Sequence, residues 1–171
     1  MTLFNSRYRV ESARNPDWNY QSQGYYFVTI CTQNKIHYFG SVINRRMILS
    51  PVGNIAQSEL LKTQEIRDNV VIDEWVIMPN HIHVIFKILP GTTNRQTTDR
   101  QKNHFGPQSN NLAAIVRGFK SMVKKWTNIH GLEFNWQARY HDHIIRNEKE
   151  LFRIRGYIMN NIKAWSKDSQ Y

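Results

Sequence analysis

Residues 70–89 constrain the fold more than any other stretch of this chain. Val70 to Met78 is a run of β-forming residues, Pro79-Asn80 interrupts it, and Ile82 to Leu89 resumes it. Two such runs around a tight polar break read as a hairpin. Side chains alternate faces along a strand, so His81 and His83 project together while Ile82, Val84 and Phe86 project to the other side. One face of the hairpin must therefore bury against other elements, and the opposite face carries two imidazoles.

The remaining periodicities arrange themselves around that hairpin. Tyr25 to Thr32 is aromatic and β-branched and reads as a strand. Pro51 opens a helical pattern carried by Val52, Ile55, Ala56, Leu60 and Leu61, which runs to about Arg67. Leu112, Ile115, Val116, Phe119, Met122, Val123 and Trp126 form the apolar stripe of a second helix, with Gly131 marking the turn after it. Tyr140 to Arg146 reads as a last strand. From Glu148 a final helix carries Leu151, Ile154, Ile158, Ile162 and Trp165 on its core side. The order β-α-β-β-α-β-α predicts an α+β fold. Its first six elements match a ferredoxin-like split β-α-β arrangement, an antiparallel sheet with two helices on one face. The C-terminal helix is then free to cover the opposite face. The 171 residues are enough for one domain, spanning 1–171. Residues 1–24 read as an extended basic lead-in and 90–110 as a long mobile loop.

Charge narrows the partner. There are 23 Lys and Arg against 13 Asp and Glu, a net charge of +10, which points to a polyanion and to nucleic acid first. Cys31 is the sole cysteine, so neither an intrachain disulfide nor a multi-cysteine zinc site is available. The first ten residues lack the apolar run of a signal peptide. No stretch approaches the roughly 20 apolar residues of a membrane span. The expectation is a cytoplasmic, nucleoid-associated protein with no membrane contact.

The histidine pair is the sharpest chemical feature. Two imidazoles on one strand face chelate a single divalent cation, or else they are surface residues of an ordinary sheet. Mg²⁺ or Mn²⁺ would require oxygen ligands as well. In the last helix Tyr157 and Asn161 lie four residues apart on one side. A helix laid over the sheet would bring to the histidines a phenol able to attack a phosphodiester and an amide oxygen able to serve as a third ligand. The same spacing fits a tyrosine that anchors the edge of an apolar stripe. Tyr140 is an alternative nucleophile and His141/His143 an alternative pair, and spacing does not choose between them. Arg117, Lys120, Lys124 and Lys125 fall away from the stripe of their helix, as a DNA-backbone contact or a solvated face would. Arg7, Arg9 and Arg14 beside Tyr8, Trp18 and Tyr20 suit phosphate contact combined with base stacking. Trp136 reads as core.

Over nearly its whole length the chain resembles the IS200-like Y1 transposases, and most closely the REP-associated tyrosine transposases. The resemblance rests on Gly24 to Thr32, on Met78-Pro79-Asn80-His81-Ile82-His83, on Phe119-Lys120-Ser121 and Trp136-Gln137, on His143 to Glu148, and on Tyr157-Ile158-Met159-Asn160-Asn161. It implies a histidine–hydrophobe–histidine nuclease in which Tyr157 is the catalytic tyrosine and His81, His83 and Asn161 hold the metal. It further implies single-stranded, hairpin-forming DNA as partner, such as repeated palindromic elements. Cleavage would leave a 5′-phosphotyrosine and a free 3′-hydroxyl, and the enzyme would act as a monomer or a homodimer. Ile162 stands where many relatives have proline. Two other readings follow from the same residues: a hairpin-binding protein without cleavage, and an RNA-binding ferredoxin-like sheet.

Overall fold

The computed structural model describes residues 22–90 and 111–165, together with the backbone of two short strands, β1 (Leu3–Phe4) and β2 (Arg7–Tyr8). The elements that follow are β3 (Gly24–Cys31), β4 (Gly40–Ile43), β5 (Arg46–Leu49), α1 (Pro51–Ile66), β6 (Val70–Met78), β7 (His81–Ile88), α2 (Leu112–Ile129), β8 (His141–Ile145) and α3 (Glu148–Ala164). Apart from Pro90, the expected 90–110 loop lies outside the described residues.

Four strands form one antiparallel sheet in the order β6-β7-β3-β8. This is the ferredoxin-like strand order, with the β6/β7 hairpin closed by Pro79-Asn80 so that Met78 pairs with His81. The expected α+β architecture is the observed one. Two strand pairs were not expected. β1 and β2 pair with each other inside the lead-in, Leu3 opposite Tyr8. β4 and β5 form a small hairpin between β3 and α1, turned by Asn44 and Arg45, both at positive φ.

Strand alternation splits the apolar residues between two clusters. Tyr26, Val28, Ile30, Ile82, Val84 and Phe86 pack on one side with Val52, Ala56 and Leu60 of α1 and Leu112, Ile115, Phe119 and Val123 of α2. On the other side Val76, Met78, Ile85 and Ile145 meet Leu151, Ile154 and Ile158 of α3. The third helix thus covers the face that the first two leave open.

Each helix begins on a side-chain cap. Ser50 accepts from the Gly53 amide, Asn111 from Ala114 and Asn147 from Glu150. Gly53 is required by a close approach, since a Cβ there would lie 2.2 Å from the Phe39 carbonyl oxygen. β6 is irregular at one point: Ile72 pairs with Phe86 and Glu74 with Ile85, so Asp73 is the extra residue of a bulge. Its carboxylate accepts two hydrogen bonds from Arg155 of α3, one of them 2.7 Å long. That pair ties the third helix to an edge strand.

The two-sided packing predicts a sharp asymmetry. Phe86 has no exposed surface while Phe152 of α3 is 78% exposed. Phe86→Ala should cost about 3–5 kcal/mol. Phe152→Ala should stay within about 0.5 kcal/mol of wild type. Urea denaturation of both variants checks this.

Candidate metal and nucleophile site

The site is built on the α3 side of the sheet, at the start of β7. β-Pairing sets Thr29 and Val76 on either side of His83, and Cys31 and Met78 on either side of His81. Directly opposed residues share a face, so the two histidines stand among Thr29, Val76 and Met78 under the third helix. Both are only 6% exposed, and their ring centroids are 4.6 Å apart.

α3 brings the other groups. Leu151, Ile154, Ile158 and Asn161 form its buried stripe. Tyr157 sits at the stripe's edge, 45% exposed, with its hydroxyl 3.3 Å from His83 Nε2. Phe27 packs edge-on against the Tyr157 ring and lies over His83, holding the phenol from the sheet side. Asn161, one turn further along, is 2% exposed, and its Oδ1 has no hydrogen-bond partner among the described residues. The Trp165 ring closes the end of the site, 6.1 Å from His81.

Burial fixes the charge state of the imidazoles. Desolvation pushes His81 down to about 4 and His83 to about 3, with a smaller contribution from the neighbouring His81 in the second case. Both rings are neutral at pH 7 and keep a lone pair for a cation. Among the described residues no three His, Cys, Asp or Glu side chains are gathered for a metal. The donors this face offers to one are two neutral imidazoles and, on the helix above them, the buried amide oxygen of Asn161. An unsatisfied buried oxygen costs about 1–3 kcal/mol, which a cation would offset. His81, His83, Tyr157 and Asn161 are all supplied by a single chain.

The alternative residues fall elsewhere. Tyr140 packs against the cluster beneath α1 and α2, on the side away from the histidines. His141 and His143 share the site's face but lie on edge strand β8, both exposed. The His143 ring is engaged at 2.8 Å by Glu150. That carboxylate also accepts from the Arg146 amide, and the two partners, the amide foremost, hold it below its ordinary range.

The basic row of α2 divides. Arg117 and Lys125 are exposed. Lys120 and Lys124 are not free for a phosphate in the way the helical pattern implied. The Lys120 ammonium donates to the carbonyls of Gln137 and Arg139, and the Lys124 ammonium to the Phe134 carbonyl and Asn135 Oδ1. Both pin the segment after α2 onto the helix. Trp136 packs among Phe39, Phe119 and Phe134, as expected of core. A groove of about 780 Å³ runs along this side between Arg117, Lys125, Trp136 and Tyr140. The side chain of Arg7, and all of Arg9 and Arg14, lie outside the described residues. Thr29 and Asn80, which contact the histidines, were not singled out from the sequence. The available signal was a hydroxyl on the histidine side of β3 and an amide at the hairpin turn.

No family model matches the chain. It is 39% identical over 169 residues to an uncharacterised protein of Haemophilus influenzae, an alignment covering 94% of this chain and 92% of that one. The chain belongs to one family with that protein. In structure it is similar to a REP-associated tyrosine transposase bound to a REP hairpin, with a TM-score of 0.58 and 23% identity over 89% of this chain and 72% of the other. Its fold is that of this transposase. No helix among the described residues is long and apolar enough to cross a membrane.

The depressed histidines predict the acid response of the metal-free protein. An unfolded histidine binds its proton near pH 6.5, whereas the folded rings do so only near 4 and 3. Below pH 6.5 the unfolded state therefore binds more protons, and stability falls as pH falls. Each histidine should contribute a loss of about 2 kcal/mol at pH 5. Urea midpoints measured from pH 7 to pH 5 in a chelator should drop further for wild type than for a His81→Gln/His83→Gln double variant. Equal drops would contradict the assignment.

Proposed function

We propose that this protein is a REP-associated tyrosine transposase, an enzyme that binds hairpin-forming single-stranded DNA and cleaves and rejoins it through a 5′-phosphotyrosine intermediate. The observation that carries the reading is the Tyr157 hydroxyl lying 3.3 Å from His83 Nε2, with a second buried imidazole next to it and, one helical turn on from Tyr157, a buried Asn161 oxygen that has no hydrogen-bond partner among the described residues. The fold shared with a transposase of this kind supports it.

In the reaction the Tyr157 oxygen attacks phosphorus, the bond from phosphorus to the 3′ oxygen breaks, and that oxygen takes up a proton as the phenol gives one up. The strand is left as a free 3′-hydroxyl and a 5′-phosphate esterified to Tyr157. A 3′-hydroxyl attacking the phosphotyrosine reverses the step. One phosphodiester replaces another, so rejoining needs no ATP. His81, His83 and Asn161 would hold a divalent cation, Mg²⁺ or Mn²⁺, which would supply charge stabilisation at the scissile phosphate. Phe27 and the α3 stripe hold the phenol over the sheet. The exposed half of Tyr157 is the side on which a DNA strand is received. The Asp73–Arg155 pair and the apolar cluster beneath α3 tie the helix to its own sheet, which supports a tyrosine acting in cis, in a monomer. Arg117 and Lys125 give the DNA backbone two phosphate contacts on the α2 side.

Incubation with a labelled hairpin oligonucleotide and Mn²⁺ should yield a covalent adduct that survives denaturation. Tyr157→Phe should bind the hairpin and form no adduct. An adduct retained in Tyr157→Phe would remove the assignment, while hairpin binding by wild type without cleavage under any divalent metal would favour a binding protein instead.

The division of the basic row is separately testable. Arg117→Ala/Lys125→Ala should weaken hairpin affinity and lower the slope of log affinity against log salt by about 1.4–1.8, with no loss of thermal stability. Lys124→Ala should instead lower the melting temperature, because it releases the segment at Phe134 and Asn135.

A further inference from the structure

Each histidine has a second ring nitrogen for which the proposed chemistry has no use, and both are engaged. His81 Nδ1 lies 2.7 Å from Asn80 Oδ1. His83 Nδ1 lies 2.8 Å from Thr29 Oγ1. An amide oxygen only accepts, so His81 carries its proton on Nδ1 and keeps a lone pair on Nε2. On His83 the Tyr157 hydroxyl lies 3.3 Å from Nε2 and the Thr29 hydroxyl 2.8 Å from Nδ1, and either hydroxyl can donate or accept. A cation at Nε2 requires the lone pair there, which makes Nδ1 the N–H that the Thr29 oxygen accepts.

The two acceptors are themselves fixed. Thr29 sits in β3 directly opposite His83, in a strand paired on both sides. Asn80 is buried in the two-residue turn. Its backbone carbonyl accepts from both the amide and the hydroxyl of Thr32, at 2.9 and 3.0 Å. Thr32 in turn has no exposed surface. The turn and the strand therefore hold an oxygen against the far side of each ring.

A neutral imidazole with its proton on the wrong nitrogen presents an N–H to a cation and cannot ligate it. Hydrogen bonds at the far nitrogen are the usual means of fixing both tautomer and ring angle. We propose that Thr29 and Asn80 are positioning residues which hold His83 and His81 in the Nδ1–H form and aim both Nε2 lone pairs into the site, readied for a divalent cation. The inference rests on the metal reading given above.

Two measurements test it. Long-range ¹⁵N–¹H NMR of the histidine rings in metal-free wild type should show both in the Nδ1–H form. Mn²⁺ titration followed by the electron paramagnetic resonance of free Mn²⁺ should show Thr29→Val and Asn80→Ala weakened by about 10–100-fold, with Thr29→Ser close to wild type. Circular dichroism establishes that each variant is folded. An Nε2–H form of either ring in wild type overturns the proposal without any variant. Unchanged Mn²⁺ affinity in folded Thr29→Val and Asn80→Ala overturns it while leaving the metal reading intact. A wild type that takes up no Mn²⁺ removes the metal reading and the positioning role with it.

Discussion

β7 is hydrogen-bonded along both edges, to β3 on one side and β6 on the other, and the rest of the molecule follows from that double pairing. The pairing fixes which side chains face which way. Ile82, Val84 and Phe86 enter the cluster under α1 and α2, and His81 and His83 turn toward α3. Burying each of those apolar side chains is worth about 1.5–3 kcal/mol. A slip of one residue would exchange the two sets and put imidazoles in the larger core. The register that makes the core is thus the register that makes the site. The burial of its neighbours sets the face on which the histidine pair stands, and the hydrogen bonds at the two Nδ1 atoms set the rings within it.

Burial on the second face has a chemical consequence. The rings are dry enough to stay neutral well below physiological pH, and their far nitrogens are held by Asn80 and Thr29. The exception to this order is the Asn161 oxygen, buried under the third helix with no hydrogen-bond partner among the described residues. A group left unsatisfied among satisfied ones departs from the rule that buried polar atoms are paired, and such departures cluster at working sites.

The major elements were legible because each has one strong period: two for the hairpin strands, 3.6 for the three helices. The β4/β5 hairpin was not legible. Its strands are four residues each, Ile43 and Ile48 are exposed, and its turn is Asn-Arg rather than the Asn-Gly that announces such turns. The basic row of α2 shows a limit of another kind. A helical pattern says which way Lys120 and Lys124 point, but not that residues 134–139 fold back to occupy them. Choosing Tyr157 over Tyr140 depended on which sheet face each reaches. Spacing along the chain does not contain that information; here the resemblance supplied the choice, while the structure sets Tyr140 against the cluster under α1 and α2. The expected 1–24 lead-in holds a strand pair at Leu3–Phe4 and Arg7–Tyr8 that a polar, arginine-bearing stretch does not announce.

The third helix leaves the sheet at β8, one edge, and its Arg155 reaches Asp73 on β6, the other edge. It is therefore held at two points besides its apolar stripe, by the Glu150 contacts with His143 and Arg146 at the start and by the bulge carboxylate at mid-helix. Tyr157 lies just past the second, on the half of the helix that also carries Asn161 and Trp165. The phenol and the amide are thus carried by one and the same helix, and a single extra residue in an edge strand, Asp73, is one of its anchors.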